Sequence, residues 1–162
     1  MDDFTKIMLG AVLGAVLAYL PRFLSTRQKL IANRALLLVE IDACRKMAAT
    51  YLSAGFASPA YRLPSLGWSQ SIPQIIAIGM IDQTQIEAVQ DFYAEVASLN
   101  WDFYAEVASL NRGLDQADRH MDDDRRLDAE AKRARVKSRN ILDRYEKAKG
   151  AVEAISRWPI IS

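Results

Sequence analysis

Ten residues of this chain occur twice in succession. Asp91-Phe-Tyr-Ala-Glu-Val-Ala-Ser-Leu-Asn100 is followed by Trp101, and residues 102–111 then repeat it letter for letter. A unit of eleven residues is close to three full turns at about 3.6 residues per turn, so one copy continues the helix of the other with a rotation of only about 20°. Phe92, Val96, Leu99, Phe103, Val107 and Leu110 fall on one side of that helix. Asp91, Glu95, Ser98, Asp102, Glu106 and Ser109 form a polar stripe beside it, and Ala94, Ala97, Trp101, Ala105 and Ala108 cover the opposite side. A helix with two apolar faces and a narrow polar strip is expected in the middle of a helical assembly. The two copies are identical, whereas solenoid repeats recur three or more times and drift apart. The pair therefore reads as a tandem copying event that the helix tolerates because its faces stay in register.

The rest of the chain fits an all-α protein: an N-terminal single transmembrane helix followed by an antiparallel bundle or hairpin of long helices. Half of the 162 residues are apolar and a quarter are charged, which suits one globular domain and excludes a disordered chain. A net charge of +1 exerts no overall pull on nucleic acid or lipid. The single cysteine, Cys44, rules out an internal disulfide.

Ile7 to Leu20 carries no charge. Extended to Phe4 and Leu24, with Lys6 and Arg22 snorkelling at its ends, the segment reaches a hydrocarbon core about 30 Å thick. A signal peptide is disfavoured by Asp2 and Asp3 and by the lack of a small-residue cleavage site. A buried soluble helix is the alternative. Residues 1–24 are thus expected to be a membrane anchor and 25–162 a cytoplasmic helical domain, because Arg22, Arg27, Lys29 and Arg34 follow the apolar run and positive charge stays inside. Gly10, Gly14 and Ala18 share a face through which two membrane helices can approach closely.

Within the domain, helices are expected at about 25–54, 73–78, 83–112 and 120–157. Pro21 should break the first helix, and Ser25 with Gln28 has capping-box spacing for a new start. Leu30, Leu37, Ile41, Cys44, Ala48 and Tyr51 then form a core stripe, with Leu38 and Leu52 beside it. Ser71 with Gln74 should cap a short helix that Gly79 stops, and Asp82 with Gln85 the long one. Residues 55–71 make a long connection rich in large side chains. Phe56, Tyr61, Leu63, Leu66 and Trp68 are expected either to pack down as a lid or to line a groove for a peptide or small apolar ligand. In the last helix Leu127, Ala131, Ala134, Ser138, Ile141, Tyr145, Ala148, Val152 and Ile155 follow a coiled-coil-like repeat of four- and three-residue steps. Trp158 to Ser162 should dock back on the bundle.

Chemistry is poorly represented. His120 is the only histidine and stands in a charged stretch, while Cys44 lies on an apolar stripe. Asp122, Asp123 and Asp124 point in different directions on a helix and lack calcium-loop spacing. The sequence contains no phosphate loop, metal-ligand spacing or nucleophile elbow. No catalytic residue, cofactor or metal is expected. Two functional classes remain. In the first, a membrane-anchored interaction protein works as a subunit, adaptor or scaffold, with a protein partner that is either another chain or a second copy of itself. In the second, a peripheral or soluble protein binds anionic lipid or nucleic acid through the basic segment 132–149, with Lys132, Arg133, Arg135, Lys137, Arg139 and Arg144 as contacts. This second class ranks below the first, since exposed Lys and Arg on a helix mostly serve solubility, and nucleic acid is not an expected partner.

Overall fold

The computed structural model describes the backbone of residues 3–54, 62–113 and 120–155 and the side chains of 3–53, 62–104 and 131–155. Four helices follow one another: α1 (Asp3–Ala54), α2 (Leu66–Ala77), α3 (Gln83–Gly113) and α4 (His120–Ala154). α2 runs antiparallel to α1, since Gly67 meets Glu40 and Gln74 meets Asn33. α3 runs parallel to α1, because Tyr93 lies beside Glu40 and Phe103 beside Tyr51. α4 returns against both, with Tyr145 on Asp42, Arg34 on Val152 and Lys137 on Asp102. The result is the expected antiparallel bundle, in up-down-up-down order.

α1 is 52 residues long, about 78 Å at about 1.5 Å per residue. The break expected at Pro21 does not occur. Proline removes the one amide that would bond the Leu17 carbonyl, and long helical runs on both sides keep the rest of the ladder. Ser25 and Gln28 retain their spacing, but inside a continuous helix no free amide is left for them to cap. Every residue from Asp3 to Arg22 is exposed, so the apolar half of α1 projects from the bundle as a bare rod. The core begins at Leu30, and the stripe through Leu37, Ile41, Cys44, Ala48 and Tyr51 is buried as expected, with Leu38 and Leu52 half-buried beside it.

α2 also differs from expectation. It starts at Leu66 rather than near Pro73 and passes through that proline. Ser71 is buried and donates its hydroxyl to Asn33 Oδ1 at 3.3 Å, so it is a packing residue and not a cap. The connection is correspondingly shorter than 55–71, and residues 55–61 lie outside the described part. At its end Gly79 adopts a φ of 71° and donates to the Ile76 carbonyl at 2.8 Å, the left-handed stop that glycine takes without steric cost. Asp82 Oδ1 then accepts the Gln85 amide at 2.8 Å while Gln85 Oε1 accepts the Asp82 amide at 3.0 Å, the reciprocal box read from the sequence.

The seam of α4 is buried from Ala134 through Ser138, Ile141, Tyr145, Ala148 and Val152 to Ile155, and Ala131 is half-buried. The side chain of Leu127 and residues 156–162 lie outside the described part. α3 buries Phe92, Val96, Leu99 and Phe103, but Ala94, Ala97 and Trp101 on its other apolar side face solvent, Trp101 at 74% exposure. Among its described side chains, only one of its two apolar faces is covered. α1 ends three residues beyond Tyr51, whereas α3 continues ten beyond Phe103. The α3–α4 pair therefore extends roughly 10 Å past the end of α1.

Candidate functional site

Beneath the junction of α1, α2 and α3 sits a buried carboxylate. Glu40 is only 6% exposed. Its Oε2 accepts the Gly67 amide at 2.6 Å, and its Oε1 accepts the Trp68 amide at 3.2 Å and the Tyr93 hydroxyl at 2.6 Å. The two amides belong to the first turn of α2, where donors lack helical partners and the helix dipole favours negative charge. Ser65 at the N-cap makes no side-chain cap bond, so Glu40 does from α1 what a local cap would otherwise do. A Cβ at Gly67 would stand 3.1 Å from Glu40 Oε2, so the bare backbone is what admits the carboxylate. Cys44, one turn along, donates to the Pro64 carbonyl at 3.2 Å. Burial, reinforced by the charge of Glu40, pushes its thiol up to about 12, which keeps it neutral and non-nucleophilic at ordinary pH. Burial, then the hydrogen bond to Glu40, likewise raises the Tyr93 hydroxyl. These groups form a joint that fixes α2 on α1 and α3.

Over that joint lies a groove of about 650 Å³ between α2 and α3, lined by Leu66, Trp68, Gln90, Tyr93, Ala94 and Ala97. Trp68 is half-buried and stacks on Tyr93, ring centroids 5.2 Å apart. Leu66 is 62% exposed at the rim. Of the expected groove residues these two line it, whereas Leu63 is buried in the core, held by reciprocal hydrogen bonds between its backbone and the Asn100 amide, both 2.9 Å. Phe56 and Tyr61 lie outside the described residues. Tyr93 and the Ala94/Ala97 edge of α3 complete the groove; the surplus apolar face of the first repeat was the sequence signal for Ala94 and Ala97, while Tyr93 belonged to none of the faces read from the sequence.

The repeat supplies identical letters to different surroundings. Tyr93 is buried against Glu40, while its copy Tyr104 is half-exposed under the Arg62 guanidinium, 3.7 Å from the ring centroid. Asp91 faces Arg144 at 3.7 Å and Asp102 pairs with Lys137 at 2.6 Å.

Of the six basic contact residues expected on α4, Lys137 and Arg144 turn inward. Lys137 bridges Asp102 and the Ser98 carbonyl, and Arg144 lies 3.2 Å from Glu95. Lys132, Arg133, Arg135 and Arg139 are exposed. The membrane-packing candidates Gly10, Gly14 and Ala18 are exposed on the free half of α1, and a Cβ at either glycine would meet nothing within 4 Å. The side chains of His120 and Asp122 to Asp124 lie outside the described part.

α1 is the one helix of the described residues long and apolar enough to cross a membrane, and its most apolar stretch is entirely unburied. No protein-family model matches this chain, and neither curated proteins nor solved structures give a match.

Proposed function

We propose that this protein is a membrane-tethered helical interaction module, a non-catalytic subunit, adaptor or scaffold whose bundle stands on the cytoplasmic side. The observation that carries this reading is the bare half of α1. A soluble helix does not leave some twenty consecutive residues exposed with no charge between Ile7 and Leu20, because exposing that surface to water costs on the order of 25 cal/mol per Å². Lipid removes the cost, and the segment Phe4–Leu24 spans about 31 Å as helix. Arg22, Arg27, Lys29 and Arg34 beyond its end orient the bundle inward. Because α1 is continuous, the bundle is held by a helical stem rather than a flexible tether. The α2–α3 groove with exposed Leu66, and Trp101 further along α3, offers a protein partner apolar contact.

Binding of an anionic surface through α4 ranks second, since Lys137 and Arg144 are already engaged by carboxylates of α3. Alkaline carbonate extraction of native membranes followed by copurification in rising salt tests both. The first reading requires the chain to stay in the membrane with a partner that survives high salt. Release by carbonate, with partners lost at moderate salt, would favour the second.

A further inference from the structure

The continuity of α1 through Pro21 brings two separate stretches into phase. In the apolar half, Ile7, Ala11, Gly14 and Ala18 follow steps of four, three and four residues. Continued through Pro21, the same alternation lands on Ser25, Gln28, Ala32, Ala35 and Val39. Every one of these positions is exposed, Val39 at 68%. They lie opposite the core stripe of Leu30, Leu37, Ile41 and Cys44, so the faces of α1 that touch α2 and α4 leave them free. A solvent-facing helical surface is ordinarily charged. The seam positions of this one carry no charge from Ile7 to Val39; exposed Leu24, Ile31 and Leu36 stand beside them, as do exposed Arg22 and Lys29. The alternation meets charge only at Asp42, which the Tyr145 hydroxyl of the same chain engages, and at Lys46.

We infer that α1 pairs in parallel with α1 of a second copy along this seam, inside the membrane and for about 22 Å beyond Leu24. The pairing builds on the reading of the bare segment as a membrane anchor. A repeat of threes and fours holds two helices side by side over its whole length at a crossing of about 20°, whereas a lone GxxxG contact crosses more steeply and separates. The small side chains let the backbones approach closely. Self-pairing is favoured over another partner by charge and topology together: an uncharged strip meets its own copy without like-charge contacts. Two copies crossing one bilayer in the same sense can meet only in parallel, which sets identical residues opposite one another.

Full-length protein in phosphatidylcholine vesicles, with single cysteines introduced in a Cys44→Ser background, tests this by oxidative crosslinking. Ala18→Cys, Ala32→Cys and Val39→Cys should each give a disulfide-linked dimer, while Lys29→Cys and Arg45→Cys, off the seam, should stay monomeric. A Val39→Glu substitution should abolish the Ala32→Cys dimer. Crosslinking at Ala18 without Ala32 or Val39 would confine the contact to the membrane and overturn the extended seam. Equal crosslinking at all five positions, or none at any, would overturn the pairing. Carbonate extraction of the same vesicles reads the anchor separately: release with the seam pattern intact would remove the membrane and keep the dimer.

Discussion

Replacing Glu40 by Gln isolates the contribution of the buried carboxylate without changing its volume. Glu40 offers acceptors on both sides, to Gly67 on one oxygen and to Trp68 and Tyr93 on the other. Glutamine has one acceptor and one donor group. If its amide nitrogen faces Gly67, two donors oppose each other at the 2.6 Å backbone contact. In the other orientation the Tyr93 hydroxyl can turn to accept, and only the 3.2 Å contact to the Trp68 amide is lost. The second orientation should therefore prevail. It converts two charge-assisted bonds to neutral ones, at about 1 kcal/mol each, and leaves one amide without its acceptor at about 1 kcal/mol more, so the variant should lose about 2–4 kcal/mol. Tyr93→Phe should cost about 1.5–3 kcal/mol in the native background and at least about 1 kcal/mol less in the Glu40→Gln background, because the shared bond is already weakened there. Urea unfolding of the full chain in mild detergent, followed by far-ultraviolet circular dichroism, measures all four corners of that cycle. A Glu40→Gln variant within about 0.5 kcal/mol of the parent, or a Tyr93→Phe cost unchanged by it, would refute the account of Glu40 as a tertiary helix cap.

Ser138 is fully buried in the α4 seam, and its hydroxyl finds no hydrogen-bond partner among the described residues. Ser138→Ala should therefore be neutral or stabilise by up to about 1 kcal/mol in the same unfolding assay. The Cys44 thiol, raised from 9.0 to about 12, should resist maleimide at pH 8 until the chain is unfolded. Because it binds its proton more tightly when folded, its stabilising contribution is complete below pH 9 and falls as pH rises from 9 toward 12; Cys44→Ala should flatten that decline in a pH series of melts. Deleting Asp91–Trp101 moves the second copy onto the first and restores Phe, Tyr, Val, Leu and Asn at the positions of Phe92, Tyr93, Val96, Leu99 and Asn100. The deletion variant should fold and melt no lower than the parent; a melt several degrees lower would show that the doubled segment, through the Phe103–Tyr51 contact and the Asp102–Lys137 pair, is an integral part of the core.

The features legible in the sequence were those determined within one or two turns of helix. The apolar stripe of α1, the seam of α4, the Gly79 stop and the Asp82/Gln85 box depend on periodicity and on residues three or four apart, and they stand where the pattern placed them. The start of α2 was hidden because its cap, Glu40, lies 27 residues earlier in the chain. A proline-centred pattern at Ser71–Pro73 then drew the boundary to the wrong place. Pro21 misled in the same way: inside a helix it costs one hydrogen bond, which long helical runs on both sides outweigh. For the groove, Leu66 and Trp68 were visible as surplus apolar mass in a connection, but Leu63 went to the core because Asn100 of the repeat satisfies its backbone. The inward turn of Lys137 and Arg144 needed the α3–α4 register, which no single helix reveals.

The most direct test of the account is the side of the membrane on which the bundle stands. Protease should leave residues 25–162 intact when added to whole cells and should digest them when added to inside-out vesicles from the same cells, with the chain resisting carbonate in both. Digestion in whole cells whose membrane is intact would contradict the cytoplasmic placement, and quantitative release by carbonate would contradict the anchor itself.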